Sequence, residues 1–337
     1  MSLSQDNDQI MLAHGSGGSM MRDLIEDIFK AEFSDVQLED AASLSMGGER
    51  IAFSTDTFVV HPHFFPGGDI GHLAICGTVN DVATSGAKPL YLSVGFVLEE
   101  GYPLSNLKRI IASMAQTARE AGVKIVTGDT KVVGKGQADG IFINTAGVGT
   151  LPLEANLSAK NCKPGDKILL SGTLGDHGIC IISQREGLEF ETTLETDAAP
   201  LNHLISDVIE AAPHTRVFRD PTRGGLASTL NELAGDSGVA MMVYEDDVPV
   251  NEQVRGASEM LGYDIFQVAN EGKMVAVVPA EEAEKALEAM KLSPYGINAA
   301  IIGEVTESPA GRVSVRNGFG ATRIMDTLVG EQLPRIC

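Results

Sequence analysis

Glycine constrains this chain more than any hydrophobic run does. It supplies 37 of 337 residues, about 11% against an average near 7%. The glycines gather in short loops between apolar segments: HGSGGS at 14–19, TGDTK at 127–131, TLGDHG at 173–178 and DPTRGGLA at 220–227. Such loops bring backbone N–H groups close to a ligand where a side chain would block the approach. The apolar segments between them alternate in period. This is the pattern of an α/β enzyme with backbone-lined sites.

Local signals place the elements. Met20–Phe29 has apolar residues at helical spacing, and Ile51–Val60 is a β-branched and aromatic strand with Asp56 inside it. A helix is expected over 70–84 after Asp69, with Asn80 and Asp81 in its last turns, followed by a strand over Leu90–Leu98. Pro103 opens an amphipathic helix that Gly122 closes. Val123–Val126 reads as a strand running into a TGDTK loop, and Ile141–Val148 as another strand. KPGD at 163–166 is a turn signal inside a proline-containing stretch. Beyond it, strands are expected at KILLSG and near 239–244, 274–278 and 312–316, with helices near 200–212, 222–235 and 280–291. Three parts result: 1–155, 156–325 and a polar, aperiodic tail over 326–337.

Charge and cysteine usage narrow the function. With 46 acidic and 25 basic side chains the formal net charge is −21, which disfavours a general nucleic-acid binder, because phosphate attraction needs clustered Lys and Arg. No apolar run nears the roughly 18 residues of a membrane span. The first residues, MSLSQDNDQIML, lack a signal-peptide pattern, so a cytoplasmic location is expected. Cys76, Cys162, Cys180 and Cys337 have no CxxC spacing, which argues against a disulfide framework or structural zinc. The first three read as ordinary small residues. Cys337 closes the sequence, and a thiol on a tether of about 40 Å, at about 3.3 Å per residue, is mechanically suited to carrying a covalent group.

Several motifs can hold chemistry. HGSGGS opens onto a helix and offers consecutive N–H groups to phosphate. GxxxxGK[ST] is absent, and the glycine spacing fails the dinucleotide fingerprint. Asp40, Asp56, Asp81 and Asp129 lie at the ends or turns of expected elements. With Lys131 they suit a magnesium–phosphate site, since magnesium takes a few carboxylate oxygens and leaves other positions to water and phosphate. In DPTRGGLA, Asp220 or Thr222 could cap a helix while Arg223 faces an anion. ANEGK at 269–273 places Glu271 before a glycine and a lysine as a candidate base. His61 and His63 have the spacing of a metal pair with no third ligand in view.

Taken together, HGSGG, FFPGGDIGHLAICGTVNDVATSGAKPLYLS, IVTGDTK, DPTRGGLA, VANEGK and the terminal PRIC resemble the HypE family of hydrogenase maturation factors. That family belongs to the ATP-binding superfamily of aminoimidazole ribonucleotide synthetase, selenophosphate synthetase and thiamine-monophosphate kinase. The aspartate motifs are shared across the superfamily; PRIC, DPTRGG and NEGK are more specific. The resemblance implies a two-domain PurM-like α/β (α+β) fold, with N-terminal domains pairing into a dimeric β-barrel, a C-terminal α/β domain and a flexible tail. It implies ATP and Mg2+ held near the dimer interface by Gly15, Gly17, Gly18, Asp56, Asn80, Asp81, Asp129 and Asp220. Asp40, the least clean match, joins Asp56, Asp81 and Asp129 as a metal ligand. The implied activity is ATP-dependent dehydration of an S-carbamoyl group on Cys337 to a thiocyanate. Glu271 is then the candidate base, His14 the second choice, and Lys131 a phosphate partner. The implied partners are a second copy, a HypF-type carbamoyltransferase and a HypC–HypD scaffold. A small-molecule kinase or synthetase of the same superfamily, and a non-enzymatic scaffold for metal-site assembly, are the alternatives.

Overall fold

The computed structural model describes residues 9–33, 35, 37–186, 194–327 and 335–337. A 3-10 turn over Leu12–Gly15 leads to helix α1 (Ser19–Leu24), which passes through a π-helical turn, Ile25–Phe29, into α2 (Lys30–Glu32). Strands β1 (Ala42–Met46) and β2 (Glu49–Phe58) form a hairpin, and a small ribbon of β3 (Phe64–Phe65) and β4 (Gly68–Asp69) follows. Next come α3 (Ile70–Thr84), β5 (Lys88–Glu99), α4 (Leu104–Ala121), β6 (Lys124–Val133) and β7 (Ile141–Leu151). Their five-stranded sheet runs β1-β2-β7-β5-β6; only β5 and β6 pair in parallel.

Helix α3 is the spine of this half. Asp69 caps it, its Oδ1 accepting from the amides of Gly71 (2.8 Å) and His72 (2.9 Å). Almost every residue of α3 is buried, as expected of a helix apolar all round. Two glycines set how close its neighbours come. A Cβ on Gly71 would lie 2.7 Å from the Ile110 carbonyl of α4, and one on Gly77 would lie 2.9 Å from the fully buried Phe58 ring of β2. The second approach brings the end of α3, and with it Asp81, beside β2 and Asp56.

The rest of the chain comprises β8 (Lys167–Leu170), α5 (Asp176–Arg185), α6 (Asn202–Ala211), β9 (Val217–Arg219), α7 (Gly225–Ser237), β10 (Ala240–Tyr244), α8 (Glu252–Leu261), β11 (Val275–Val278), α9 (Ala283–Leu292), β12 (Ala300–Thr306), β13 (Arg312–Arg316) and β14 (Thr322–Ile324). Seven strands order as β14-β13-β10-β12-β8-β11-β9. Every residue of β11 is buried, with α7 over one cluster and α6 and α9 over another. Burying each such Val or Ile contributes about 1.5–3 kcal/mol.

Several expectations need correction. TGDTK is not a loop but the middle of β6, exposed along almost its whole length. Gly128 suggested a turn; its lack of a side chain instead lets β6 lie against the Val94 carbonyl of β5. Neither Asp220 nor Thr222 caps α7: the N-cap is Gly224, with no side-chain capping bond, and the Thr222 carbonyl accepts from the Gly225 amide (2.9 Å). Helices α5 and α8 and strands β1, β3, β4, β9, β12 and β14 were not anticipated, and α5 begins inside TLGDHG, which reads as a loop. Most of the tail, 328–334, lies outside the described residues. Among the described residues no helix is long and apolar enough to cross a membrane.

Candidate functional site

Two glycine loops meet to form one wall of a cavity of about 400 Å³. Gly17 has φ +78°, and a Cβ there would lie 2.5 Å from both the Cβ and the carbonyl oxygen of Arg223. Gly224, at φ +77°, would carry its Cβ 2.9 Å from the Gly17 carbonyl. The guanidinium of Arg223 donates to the Gly15 carbonyl (3.3 Å). Gly17, Gly18 and Arg223 line the cavity together with Asp40, Asp56, Asp81, Asp220, Glu271 and Cys337.

The carboxylates crowd one another. Asp56, on β2, accepts from the Thr57 amide (2.7 Å); burial pushes its pKa up while Arg223 opposes the shift. Asp81 is pushed well above the usual range by burial, then by Asp220, Asp56 and Asp40. Its Oδ2 lies 2.8 Å from the Ser54 hydroxyl, whose oxygen is also 2.9 Å from the Asp40 carbonyl. Asp220 is pushed up to about 8, by burial first and then by Asp40. Asp40 itself is taken by Arg219, which also reaches Glu39 (3.4 Å).

Glu271 lines the same cavity. It is 4% exposed, and its Oε1 is buried without a hydrogen-bond partner. Burial raises its pKa well above the ordinary value, and Asp220, Asp56 and Asp197 add to this against Arg223. The residue before it is fixed by two bonds. Asn270 Oδ1 accepts from the Gly175 amide (2.7 Å), and Asn270 Nδ2 donates to the Pro221 carbonyl (3.0 Å).

The last three residues dock along the segment that follows β2. The Val59 amide donates to the Cys337 carbonyl (2.9 Å), His177 Nε2 to the Ile336 carbonyl (2.8 Å), and the His61 amide to the Arg335 carbonyl (3.4 Å). Arg335 Nε returns a bond to the Val59 carbonyl (2.9 Å), and its NH1 binds Asp139 (2.5 Å). Ile336 is buried among apolar side chains. Cys337 is thereby held in the cavity with Asp56, Glu271 and Arg223. Burial pushes its thiol up, although Arg223 pulls the other way.

The remaining candidates lie elsewhere. Asp129 and Lys131 pair with each other on exposed β6 and do not line the cavity. His14 Nδ1 accepts from the Met11 amide (2.9 Å), which folds the ring back into its own turn. Both amide atoms of Asn80 are used on backbone, Nδ2 on the Ala199 carbonyl (3.0 Å) and Oδ1 on the Leu201 amide (2.7 Å). His61 and His63 stack edge to face at 5.8 Å; among the described residues no group of three or more His, Cys, Asp or Glu side chains forms a ready metal cluster. Arg219, Ser54 and His177 are cavity or tail partners that sequence reasoning missed, because their contacts are remote in sequence; only His177 lies in a motif, TLGDHG.

Residues 38–151 match the family model for the N-terminal domain of AIR synthase related proteins, and 163–316 match the model for its C-terminal domain. The chain is 52% identical over 335 residues to carbamoyl dehydratase HypE of Azotobacter vinelandii, covering 98% of each. It superposes with TM-score 0.86 and 51% identity on a chain of the crystal structure of a HypE–HypF complex, covering 90% of this chain and 99% of that one. The crystal structure of HypE in complex with ATP matches with TM-score 0.83 and 47% identity, over 98% of this chain and all of the other.

Proposed function

Because the chain belongs to the HypE family of carbamoyl dehydratases, we propose that Cys337 is the carrier on which it converts an S-carbamoyl group into a thiocyanate, driven by ATP, during hydrogenase maturation. One observation carries this reading for the site: the thiol that would bear the group lies in the same cavity as the glycine loop, Arg223 and Glu271.

The chemistry suits these residues. In the reaction RS–C(O)NH2 plus ATP gives RS–CN, ADP and phosphate, the amide oxygen is a poor leaving group until it takes the γ-phosphoryl group. That transfer depends on positioning and charge neutralisation more than on covalent help. Gly17 and Gly18 present backbone to the phosphates, and Arg223 supplies positive charge at the cavity wall. One N–H proton leaves the carbamoyl nitrogen as the O-phosphoryl intermediate forms; the second leaves as the C–O bond breaks and the nitrile closes. Glu271 is the base. Its free Oε1 and raised pKa place its proton affinity closer to the working range than an ordinary carboxylate's. The sulfur stays bonded to carbon throughout, so a raised thiol pKa inside the cavity does no harm. Loading needs thiolate, which burial disfavours, so the tail over 326–337 takes up its cargo outside.

The cavity carboxylates are of the oxygen type that magnesium takes, although they form no ready cluster by themselves and would need phosphate and water oxygens to complete the shell. Asp56, Asp81 and Asp220 line one cavity with carboxylate oxygens; burial first, and then neighbouring carboxylates, hold Asp81 and Asp220 above the ordinary range, a cost that a bound cation would relieve. Asp40 is the weakest member, being bound to Arg219. Bound there, magnesium would neutralise charge on the triphosphate.

The partners follow from the same reading. A homodimer through the five-stranded sheet would explain why Ile125, Val126 and Val132 of β6 are exposed together with Phe53 and Tyr91. It would also bring Asp129 and Lys131 toward a second copy, where they could complete its phosphate site. A HypF-type carbamoyltransferase would load Cys337, and a HypC–HypD scaffold would receive the cyanide in the cytoplasm.

The test is mass spectrometry of the C-terminal peptide after incubation with the carbamoyltransferase, carbamoyl phosphate and ATP. A carbamoyl adduct on Cys337 that loses one water only with ATP is expected. A Cys337 that is never carbamoylated, or keeps its adduct when ATP is present, refutes the assignment.

A further inference from the structure

Behind the Glu271 loop, facing away from the cavity, a short irregular stretch packs against the backbone. Asp197 Oδ1 accepts from the Glu271 amide (2.9 Å). Gly272 presses flat against the Asp197 carbonyl, and a Cβ there would lie 2.8 Å from the Ala199 amide nitrogen. The other carboxylate oxygen of Asp197 faces Lys273 Nζ (3.3 Å), which also approaches Asp176 (3.8 Å). The Asp197 side chain is 1% exposed. A carboxylate buried this deeply depends on these partners, since an unpaired buried charge is costly.

The neighbours of Asp197 reach the other reactant. The Thr196 hydroxyl bonds His177 Nδ1 (2.7 Å), and the far nitrogen of that ring holds the Ile336 carbonyl. The Thr196 hydroxyl oxygen also accepts from the Ala198 amide (3.1 Å). His72 Nε2 donates to the Ala198 carbonyl (2.8 Å), tying the stretch to α3. Three consecutive residues therefore touch the backbone of the base, the ring that holds the tail, and the central helix.

The geometry points to Asp197 as a positioning residue for dehydration: it fixes the backbone of Glu271 in register with the tail that Thr196 and His177 hold. This rests on Glu271 being the base and Cys337 the carrier. Asp197 touches no reacting atom. It acts by keeping Glu271 from swinging with its loop, and Lys273 neutralises the charge this requires. A small displacement of a catalytic group costs rate steeply, because productive geometry is narrow.

The experiment uses full-length protein carrying S-carbamoyl-Cys337, loaded by the carbamoyltransferase and followed by mass spectrometry over a single ATP-dependent turnover. Asp197→Ala removes the acceptor for the Glu271 amide. Asp197→Asn keeps an oxygen there and removes only the charge. At least a tenfold slower conversion is expected for Asp197→Ala, with the ATP concentration for half-maximal rate and the extent of loading unchanged, and most of the rate restored in Asp197→Asn. Equal rates for Asp197→Ala and the wild type overturn the inference, as does an Asn variant as slow as the Ala one. A shift confined to ATP dependence also overturns it. If the wild type itself never converts the adduct, the dehydratase reading fails instead.

Discussion

The imidazole of His177 spans the tail and the body of the protein: Nε2 lies 2.8 Å from the Ile336 carbonyl and Nδ1 2.7 Å from the Thr196 hydroxyl. A carbonyl only accepts, so Nε2 carries the proton and Nδ1 accepts from Thr196. The ring is fully buried, and burial lowers its pKa. The neutral ring is the one that fits. Below about pH 6.5 the unfolded chain binds a proton here that the folded chain refuses. This contribution to stability is therefore present above that pH and lost as pH falls through the lowered value. His177→Gln, whose amide can still donate to Ile336, should remove that dependence. Thermal midpoints of the two proteins measured from pH 5 to pH 8 should converge toward the acid end.

Glu271 carries the opposite kind of shift. Its raised pKa means that ionised base accumulates only above the ordinary glutamate range, so dehydration should rise with pH through that window. Glu271→Gln should slow dehydration by about 10²–10⁴-fold and abolish the rise, the usual yield of a general base. Loading of Cys337 should be unaffected. Single-turnover rates across pH read both effects, and a variant that keeps its pH limb would remove Glu271 from the role.

The glycine loop makes a sharper demand at one position than at its neighbour. Gly17→Ala places a methyl against Arg223 at a positive φ, whereas a Cβ on Gly15 meets nothing within 4 Å. Gly17→Ala should cost about 1–3 kcal/mol in local strain and weaken ATP binding as Arg223 is displaced. Gly15→Ala should leave both nearly unchanged. Thermal shift and nucleotide titration of the pair separate the two positions.

Exposed β6 predicts self-association. Val126 is 59% exposed and Val132 68%, on an edge strand paired with a neighbour on one side only. Val126→Lys or Val132→Lys should disrupt a dimer through this sheet, since charge on an edge opposes pairing. Light scattering after size exclusion should show the loss. If Asp129 and Lys131 serve a second copy, dehydration should fall with it.

What could be read from the sequence divides along contact range. Helix α3 was predicted over its observed span because its apolar run and its Asp69 cap are local signals. The Pro103 and Gly122 punctuation of α4 is equally local. Asp56, Asp81, Asp220, Glu271, Gly17 and Gly18 were legible as motif residues, and all line one cavity. The Asp220 or Thr222 cap failed on a local turn, closed by Thr222 and Gly225; other features were hidden because a residue's partner is distant in the chain. Gly128 resembles a turn until β5 is beside it, and the backbone partners of Asn80 at residues 199–201 carry no local signal. Asp197 carries no motif, because its only credential is the amide of a residue 74 positions away.

The tail is gripped by its carbonyls. The oxygens of Arg335, Ile336 and Cys337 each meet a donor from the body of the protein, and none of these bonds involves the thiol. That part of the seat is therefore blind to cargo: free thiol, thiocarbamate and thiocyanate should make the same carbonyl bonds. Whatever tells a finished tail to leave must then be read elsewhere, in the contents of the cavity or in the protein waiting outside it.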